Sequence, residues 1–471
     1  MHIEFTPAEE EILHVISASA EQLEVEAYLI GGFVRDCLIN RPTKDMDVVC
    51  VGDGIRLAQI VSEKLGTRKP VIFRKFGTAM IRYHDIEIEF VGARKESYKE
   101  DSRKPEVTTG NLEDDLLRRD LTINAFAIDL SRENFGTLID RFDGRHDLDN
   151  RIIRTPSDPD KTFSDDPLRM LRAIRFASEL DFDISPETLV GIKKNNTRIN
   201  IVSQERITIE LNKIIQSPLP SVGFRLLMNT GLCKLVFPEL ARMKGVEKVN
   251  GRGHKDNFYH TLEVLDNVSM VSSDLWLRWA ALLHDIAKPA TKRFDQKAGW
   301  TFHGHEVVGE RMVAQIFRRL KLPLDQHLRF VQKLVRLHLR PIVLSKDEIT
   351  DSAIRRLIVD AGDDIEALMT LCKADITTKN ADKKKRYQSN FDLVKKKMKE
   401  IEEKDNLRNW QPPITGEIIM KTFNLTPSRD VGRIKDAVRE AILEGDIANN
   451  YDEAYNHMLK IGADMGFNPN T

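Results

Sequence analysis

Cysteine is scarce in this sequence: four residues, Cys37, Cys50, Cys233 and Cys372, occur in a chain of 471. They are widely spaced and form no CxxC, which argues against a disulfide framework and against thiolate zinc sites. A reducing cytoplasm is the expected compartment. Long apolar runs are also missing. None reaches the roughly 18 residues that a membrane span needs, so no membrane partner is expected. Charge of one sign is missing too, since 72 Lys and Arg stand against 73 Asp and Glu. A nucleic-acid partner would have to be held by local basic patches and not by a global field. The first residues, MHIEFTPAEEEIL, lack a basic-then-apolar leader pattern. They read as a helix start, with Thr6 as N-cap, Pro7 in the first turn and Glu9 closing a capping box. No internal repeat is visible, and no protein partner is inferable.

What is present is an ordinary globular balance, 41% hydrophobic and 31% charged, long enough for two to four domains. Up to about residue 150 the pattern mixes helix and strand. Segments 27–30, 46–51, 71–74, 78–83 and 86–91 read as strands, and 54–65 as a helix between them. After about residue 160 helical spacing dominates. DDPLRMLRAIRFASEL places Leu168, Leu171, Ile174 and Leu180 near one face. SQERITIELNKII predicts a helix with Ser203 as N-cap and an Arg206/Glu210 i,i+4 pair. The basic runs at 383–386 and 395–399 read as a solvated, charge-paired helix, with a phosphate-contacting surface as the alternative.

The chemistry begins at residues 28–50, YLIGGFVRDCLINRPTKDMDVVC. On a strand, Asp45 and Asp47 point to one face. Two adjacent carboxylates repel unless a cation sits between them, and a hard ion such as Mg²⁺ suits both them and phosphate oxygens. Paired ions of this kind activate a hydroxyl and neutralise a leaving pyrophosphate. In DIEIEF, Glu87 and Glu89 share a strand face. Either can supply a third carboxylate, and Glu89 is the candidate carried forward. Gly31-Gly32 at a strand end lets backbone N–H groups approach phosphates without a Cβ in the way. Arg35 follows as a candidate phosphate-binding fork.

GGxxRD, a short link and then DxD resemble the head of class II tRNA nucleotidyltransferases (CCA-adding enzymes) and bacterial poly(A) polymerases. The resemblance implies metal-binding roles for Asp45 and Asp47, and nucleotide contacts for Gly32 and Arg35. RRDLTINAFAID (118–129) is similar to the family's next motif. It implies nucleotide-binding roles for Arg119, Asp120 and Asn124; an amphipathic helix with Ile123, Phe126 and Ala127 in the core is compatible with this.

DDPLRMLRAIRF is similar to the family's base-reading motif, which assigns base selection to Asp166 and Arg169. Read as i,i+3 neighbours on a helix, they combine an acceptor with a donor. Cytosine and adenine offer an exocyclic amino donor beside a ring-nitrogen acceptor, whereas uracil and guanine present the reverse. An Asp–Arg pair therefore suits C and A, each unpaired buried group costing about 1–3 kcal/mol. Arg172 and Arg175 continue along the helix as a candidate triphosphate or RNA-backbone surface. SQERITIEL matches the last neck motif, with Glu205 and Arg206 read as capping and neck-stabilising. The polar segment 93–119 reads as a mobile loop. In the family such a loop serves the switch from CTP to ATP, and full length with Arg94, Glu96 and Tyr98 implies addition of the complete CCA end.

A second constellation lies downstream. His260, the pair His284-Asp285 and Asp375 resemble the HD metal-binding superfamily, and His303, His305 and His338 are candidates for a second metal position. Imidazole with carboxylate suits a divalent transition metal, and an open position hydrolyses phosphate esters.

The expected fold is therefore α+β: a polymerase-beta-like nucleotidyltransferase head, a small mixed sheet with helices, followed by an all-α neck, body and HD-type helical domain. Expected segments are 1–150 (head), 151–235 (neck), 236–380 (HD-type) and 381–471 (helical tail). The implied activity is addition of CCA to the tRNA 3′ end from CTP and ATP, with Mg²⁺ at the head and a possible phosphohydrolase on RNA ends or cyclic phosphates at the HD site. Alternatives are a poly(A) polymerase, an HD phosphohydrolase with an RNA-binding head, and a non-enzymatic RNA-end-binding protein. Intact Asp45/Asp47 and a complete base reader argue against the last two.

Overall fold

The computed structural model describes residues 3, 5–74, 77–99, 102–344, 350–378, 380–405 and 412–470. Their packing divides the chain into two compact units, Met1–Ala241 and Arg242–Thr471. The fold class is α+β, as expected.

In the first unit, α1 (Pro7–Gln22) opens with the capping box read from the sequence: Glu9 N–H donates to Thr6 Oγ1 and Thr6 N–H to the Glu9 carboxylate. Its Ile12, Leu13 and Ile16 are buried. The sheet follows, with strands β1 (Ala27–Ile30), β2 (Asp45–Cys50), β3 (Val71–Phe73), β4 (Thr78–Tyr83) and β5 (Ile86–Gly92). Helices α2 (Gly32–Leu38) and α3 (Gly54–Lys64) lie between the first three of these strands. Strands β8 (Phe126–Asp129) and β9 (Leu138–Asp140) complete the order β3-β4-β5-β2-β1-β8-β9. All neighbours are antiparallel except β2 and β5. That parallel pair sets Asp45 opposite Glu87 and Asp47 opposite Glu89.

Two sequence expectations change here. Segment 93–119 contains an antiparallel hairpin, β6 (Arg94–Lys99) with β7 (Ser102–Thr109), and then α4 (Leu112–Leu117). Cross-strand pairing satisfies its backbone, something polar composition does not reveal. Helix α4 is started by an Asn111/Asp114 capping box. The second change is at RRDLTINAFAID, which is not a helix. Thr122–Asn124 form a 3₁₀ turn and Phe126–Asp129 become β8, because β1 offers an open edge to pair with.

Beyond the sheet the first unit is helical: α5 (Gly144–Asp149), α6 (Pro159–Asp165), α7 (Leu168–Leu180), α8 (Pro186–Asn195) and α9 (Gln204–Gln216). Leu168, Leu171 and Ile174 of α7 are buried as their spacing predicts, and α7 packs on α9. Ser203 precedes α9 without a side-chain cap bond.

The second unit is helical with short two-stranded ribbons that the sequence pattern did not signal, such as Arg293–Asp295 with Gly299–Thr301. Its lysine runs lie on a 25-residue helix, Ala381–Asp405, with Lys396 paired to Glu400 at 3.8 Å. Three further helices, Gly416–Phe423, Arg429–Glu444 and Tyr451–Asp464, share a core of Ile419, Phe423, Ile434, Val438, Ala454 and Met458. Among the described residues, no helix is long and apolar enough to cross a membrane.

Candidate functional site

Asp45 and Asp47 project from β2 beside Glu89 of β5, one strand away. Glu87 is drawn off by an ion pair with Arg82, which leaves Glu89 as the third carboxylate. Burial pushes the Asp47 carboxyl up to about 6; Arg119 opposes this, while Glu89 and Asp45 add to it. A carboxylate so placed gains from a cation, so the oxygen donor set fits a hard divalent ion.

Gly31 explains the glycine pair. It sits at φ +76°, and a Cβ there would lie 2.9 Å from Arg119 Nη1 and 3.3 Å from Asp47 Oδ2. The bare backbone thus makes room for Arg119 beside the catalytic carboxylate candidate. Arg119 is anchored from behind by Asp115, which is fully buried and also holds Arg118. The sequence reading missed Asp115. Its i,i+3 and i,i+4 spacing to the two arginines was the available signal.

The remaining motif residues form one connected network. Arg35 is buried, donates twice to Asp36 and gives Nη1 to Asn124 Oδ1 at 2.6 Å. Asn124 Nδ2 donates to Asp120 Oδ1 at 3.1 Å, and Arg172 Nε to Asp120 Oδ2 at 2.6 Å. Burial works against ionising Asp120, yet Arg172 and Asn124 prevail and hold it at about 2. Arg175 pairs with Glu210 at 3.0 Å. The rings and guanidinium groups also meet: Arg35, Arg172 and Arg175 lie 4.9, 5.6 and 4.0 Å from the Phe176 ring centroid. Arg35, Arg172 and Arg175 are therefore engaged by protein acids instead of forming an open basic stripe.

Asp166 and Arg169 do not sit on one helical face. Pro167 disfavours helical geometry in the residue before it, so Asp166 is extended and α7 begins at Leu168. Asp166 Oδ1 accepts the Leu168 N–H, and Oδ2 accepts Arg206 Nη2 at 2.9 Å. Arg206 thus pairs with Asp166, and Glu210 with Arg175, so the predicted Arg206/Glu210 pair is not made. Arg169 donates to the carbonyls of Arg118 and Thr162.

In the second unit, His260, His284, Asp285 and Asp375 converge. His260 Nε2 lies 2.9 Å from Asp375 and 3.5 Å from Asp285 Oδ2; His284 Nε2 lies 3.2 Å from Asp285 Oδ2. On the other side of the same carboxylate, Asp285 Oδ1 faces His305 Nε2 at 3.3 Å and His338 Nε2 at 3.8 Å. His303 is exposed and outside both groups, since the chain turns at Gly304 before the helix that carries His305. Backbone carbonyls of Ala281, Phe302 and Val335 accept Nδ1–H of His284, His305 and His338, which leaves each Nε2 as the inward lone pair. The buried His284 Nε2 has no hydrogen-bond partner. Burial and the nearby His284 push His338 down to about 4. An orphaned imidazole nitrogen beside a carboxylate that faces two histidine groups fits a divalent metal pair, with Lys288, now paired to Asp285 Oδ2, to be displaced.

Known proteins resemble this chain in both units. Residues 27–154 match the poly A polymerase head domain, 181–244 the probable RNA and SrmB-binding site of polymerase A, and 257–383 the HD domain. A CCA-adding enzyme of Pediococcus pentosaceus is 37% identical over 228 residues, 48% of this chain and 55% of that protein. In fold, the Bacillus stearothermophilus CCA-adding enzyme in complex with CTP aligns over 98% of this chain and 99% of its own, with TM-score 0.69 and 23% identity. In sequence and fold, the chain is similar to CCA-adding enzymes and carries an HD domain. A tRNA nucleotidyltransferase complexed with a primer tRNA and an incoming ATP analog aligns over 81% of this chain with TM-score 0.57. The chain spans about half the length of the curated CCA-adding enzymes it matches.

Asp120→Asn is expected to destabilise the first unit by about 3 kcal/mol, because it leaves Arg172 without its buried counter-charge. Urea unfolding of wild type and variant measures this. The folded pKa of Asp120 is depressed, so the wild-type advantage is complete above about pH 5 and disappears as pH falls through about 2. Equal stability at pH 7 contradicts the pairing.

Proposed function

We propose that this chain is a CCA-adding tRNA nucleotidyltransferase acting in the cytoplasm, and that the observation carrying this reading is the register of Asp45, Asp47 and Glu89 beside Arg119 and Gly31. In the reaction the tRNA 3′-hydroxyl oxygen bonds to the α-phosphorus of CTP, twice, and then of ATP. The bond to the β,γ-diphosphate breaks, pyrophosphate leaves, and the hydroxyl proton goes to solvent. Asp45, Asp47 and Glu89 are the residues to hold Mg²⁺, which when bound lowers the pKa of the hydroxyl and neutralises the leaving group. Arg119, held by Asp115, offers its guanidinium to the triphosphate, and Gly32 permits close backbone approach. Asp120, Asn124 and Arg172 fix the nucleotide-facing surface, with Arg35 and Arg175 bracing it from behind. Asp166 and Arg169 select C and A by hydrogen-bond polarity.

The assay is extension of tRNA lacking its CCA end, offered Mg²⁺ with CTP, ATP or both. Three added residues that require both nucleotides are expected. A long tail from ATP alone identifies a poly(A) polymerase instead, and no extension by folded protein overturns the transferase reading. Asp47→Asn is expected to reduce extension at least 100-fold with tRNA binding retained. For Asp166→Ala, incorporation of UTP or GTP relative to CTP should rise; an unchanged profile removes it from base selection.

For the HD cluster we infer a two-metal phosphohydrolase. His260, His284, Asp285 and Asp375 are the residues for one ion, and Asp285, His305 and His338 for the other. Such a pair supplies an activated water and charge neutralisation for phosphate-ester hydrolysis. Elemental analysis of purified protein is expected to find up to two divalent transition metals per chain. His305→Ala with His338→Ala should lower the content to one, whereas undiminished metal contradicts the assignment.

A further inference from the structure

A cavity of about 500 Å³ lies in the second unit, and none of its lining residues belongs to the His/Asp cluster. Its polar wall is Arg336, Arg340 and Arg356 with Glu306 and Asp360. Arg336 ends the helix Gln326–Leu337, and Arg340 stands in the helix Leu339–Leu344 that continues it through His338. Four residues apart, the two arginines share a face. His338 is two residues from each, so it points about 200° around the helix from them, into the cluster. The helix Asp351–Ala361 supplies the facing wall, with Ala353, Arg356, Leu357 and Asp360 on one stripe.

Most of the charges here have a structural use. Asp360 takes Arg340 on Oδ2 and Arg439 on Oδ1 at 3.4 Å, and Arg356 is held by Glu440 at 2.6 Å and by Glu444. These pairs tie Asp351–Ala361 to the helix Arg429–Glu444. Arg336 takes no part in that tie. It stands 3.9 Å from Glu306 and 3.8 Å from Glu310, beyond hydrogen-bond reach, and among the described residues it has no hydrogen bond. Three guanidinium groups thus border one cavity with two carboxylates, and Asp360 is already shared with a fourth arginine. Each guanidinium carries five N–H donors, of which the ion pairs use one or two. The three side chains are 37% to 44% exposed, so a solute can reach them.

We propose that this cavity binds a small anion carrying two or more phosphoryl groups, with Arg336 as the guanidinium left free to receive it. A planar carboxylate is satisfied by one guanidinium fork, whereas tetrahedral phosphoryl groups offer oxygens in several directions at once. The volume falls in the range of small-molecule pockets, about 300–1,000 Å³, and exceeds what a single phosphate fills. Leu339, Ala353 and Leu357 add an apolar wall that suits the uncharged part of an ester. The transfer reaction proposed above releases a diphosphate, but the cavity stands independently of either active-site reading.

Binding of pyrophosphate, ATP, inorganic phosphate and citrate to metal-free full-length protein is measured calorimetrically. Without divalent ions, the two carboxylate clusters lack the cations through which they would hold phosphates. Wild type is expected to bind pyrophosphate at least tenfold more tightly than inorganic phosphate. Arg336→Ala gives up no hydrogen bond, so it is expected to keep the wild-type thermal midpoint and to bind pyrophosphate about tenfold or more weakly. Arg336→Lys, which retains the charge without the fork, should fall between them. Tighter binding of ATP than of pyrophosphate supports a nucleoside lying on the apolar wall, and equal binding supports the diphosphate group as the whole determinant. Unchanged affinity in folded Arg336→Ala overturns the proposal, as does absence of pyrophosphate binding by wild type. Tighter binding of citrate than of pyrophosphate overturns the phosphoryl class.

Discussion

The Asp120 carboxylate is the point on which the first unit turns. It receives Asn124 from the 3₁₀ turn and Arg172 from α7, and Asn124 in turn receives Arg35 from α2. Three elements far apart in sequence are thereby fixed to one buried acid. Removing that acid would strand a guanidinium and open the amide's donor, a cost far above that of losing an exposed pair. The sheet presents Asp45 and Asp47, while this network fixes α2, the 3₁₀ turn and α7 to one another.

The HD cluster solves a different problem by similar means. Its histidines must face inward without a proton on Nε2. Three backbone carbonyls accept hydrogen bonds from Nδ1–H and so favour the tautomer whose Nε2 is unprotonated. His260 is the exception, since its Nδ1 faces the Thr377 hydroxyl and Lys255 and not a carbonyl. Its orientation depends on side chains and not on the backbone.

Much of this was legible in the sequence because it depended on local period. Asp45 and Asp47 share a face by strand alternation, the early strands and α3 follow hydrophobic patterning, and the capping box at Thr6 follows from three positions. The failures have physical causes. The 3₁₀ turn and β8 were read as helix because apolar spacing over six residues fits either; only the open edge of β1 decides. Asp166 falls within the helical spacing of DDPLRMLRAIRF, but Pro167 keeps it extended and the helix starts after it. Partnerships such as Arg206 with Asp166 and Arg175 with Glu210 join distant positions, and no periodicity encodes them. The placing of Asp285 between two histidine groups was beyond sequence reasoning for the same reason, although the residue types were readable.

The engagement of the motif arginines by the protein itself bears on base selection. Arg35, Arg172 and Arg175 face carboxylates, and two of these pairs are almost wholly buried. Arg169 instead gives its hydrogen bonds to two neutral carbonyls, and charge-assisted bonds are roughly twice as strong as neutral ones. Asp166 holds Arg206 in a pair whose partners are 20% and 39% exposed, where solvent weakens the attraction. Of the polar groups in this surface, Asp166 and Arg169 are thus the least costly to redirect toward a ligand. A nucleotide that offers a donor to one and an acceptor to the other replaces what they give up. Under the proposed base-reading role, a base of reversed polarity would leave both unpaired. The network therefore supplies rigidity where the arginines are locked, and leaves Asp166 and Arg169 the freest to exchange partners.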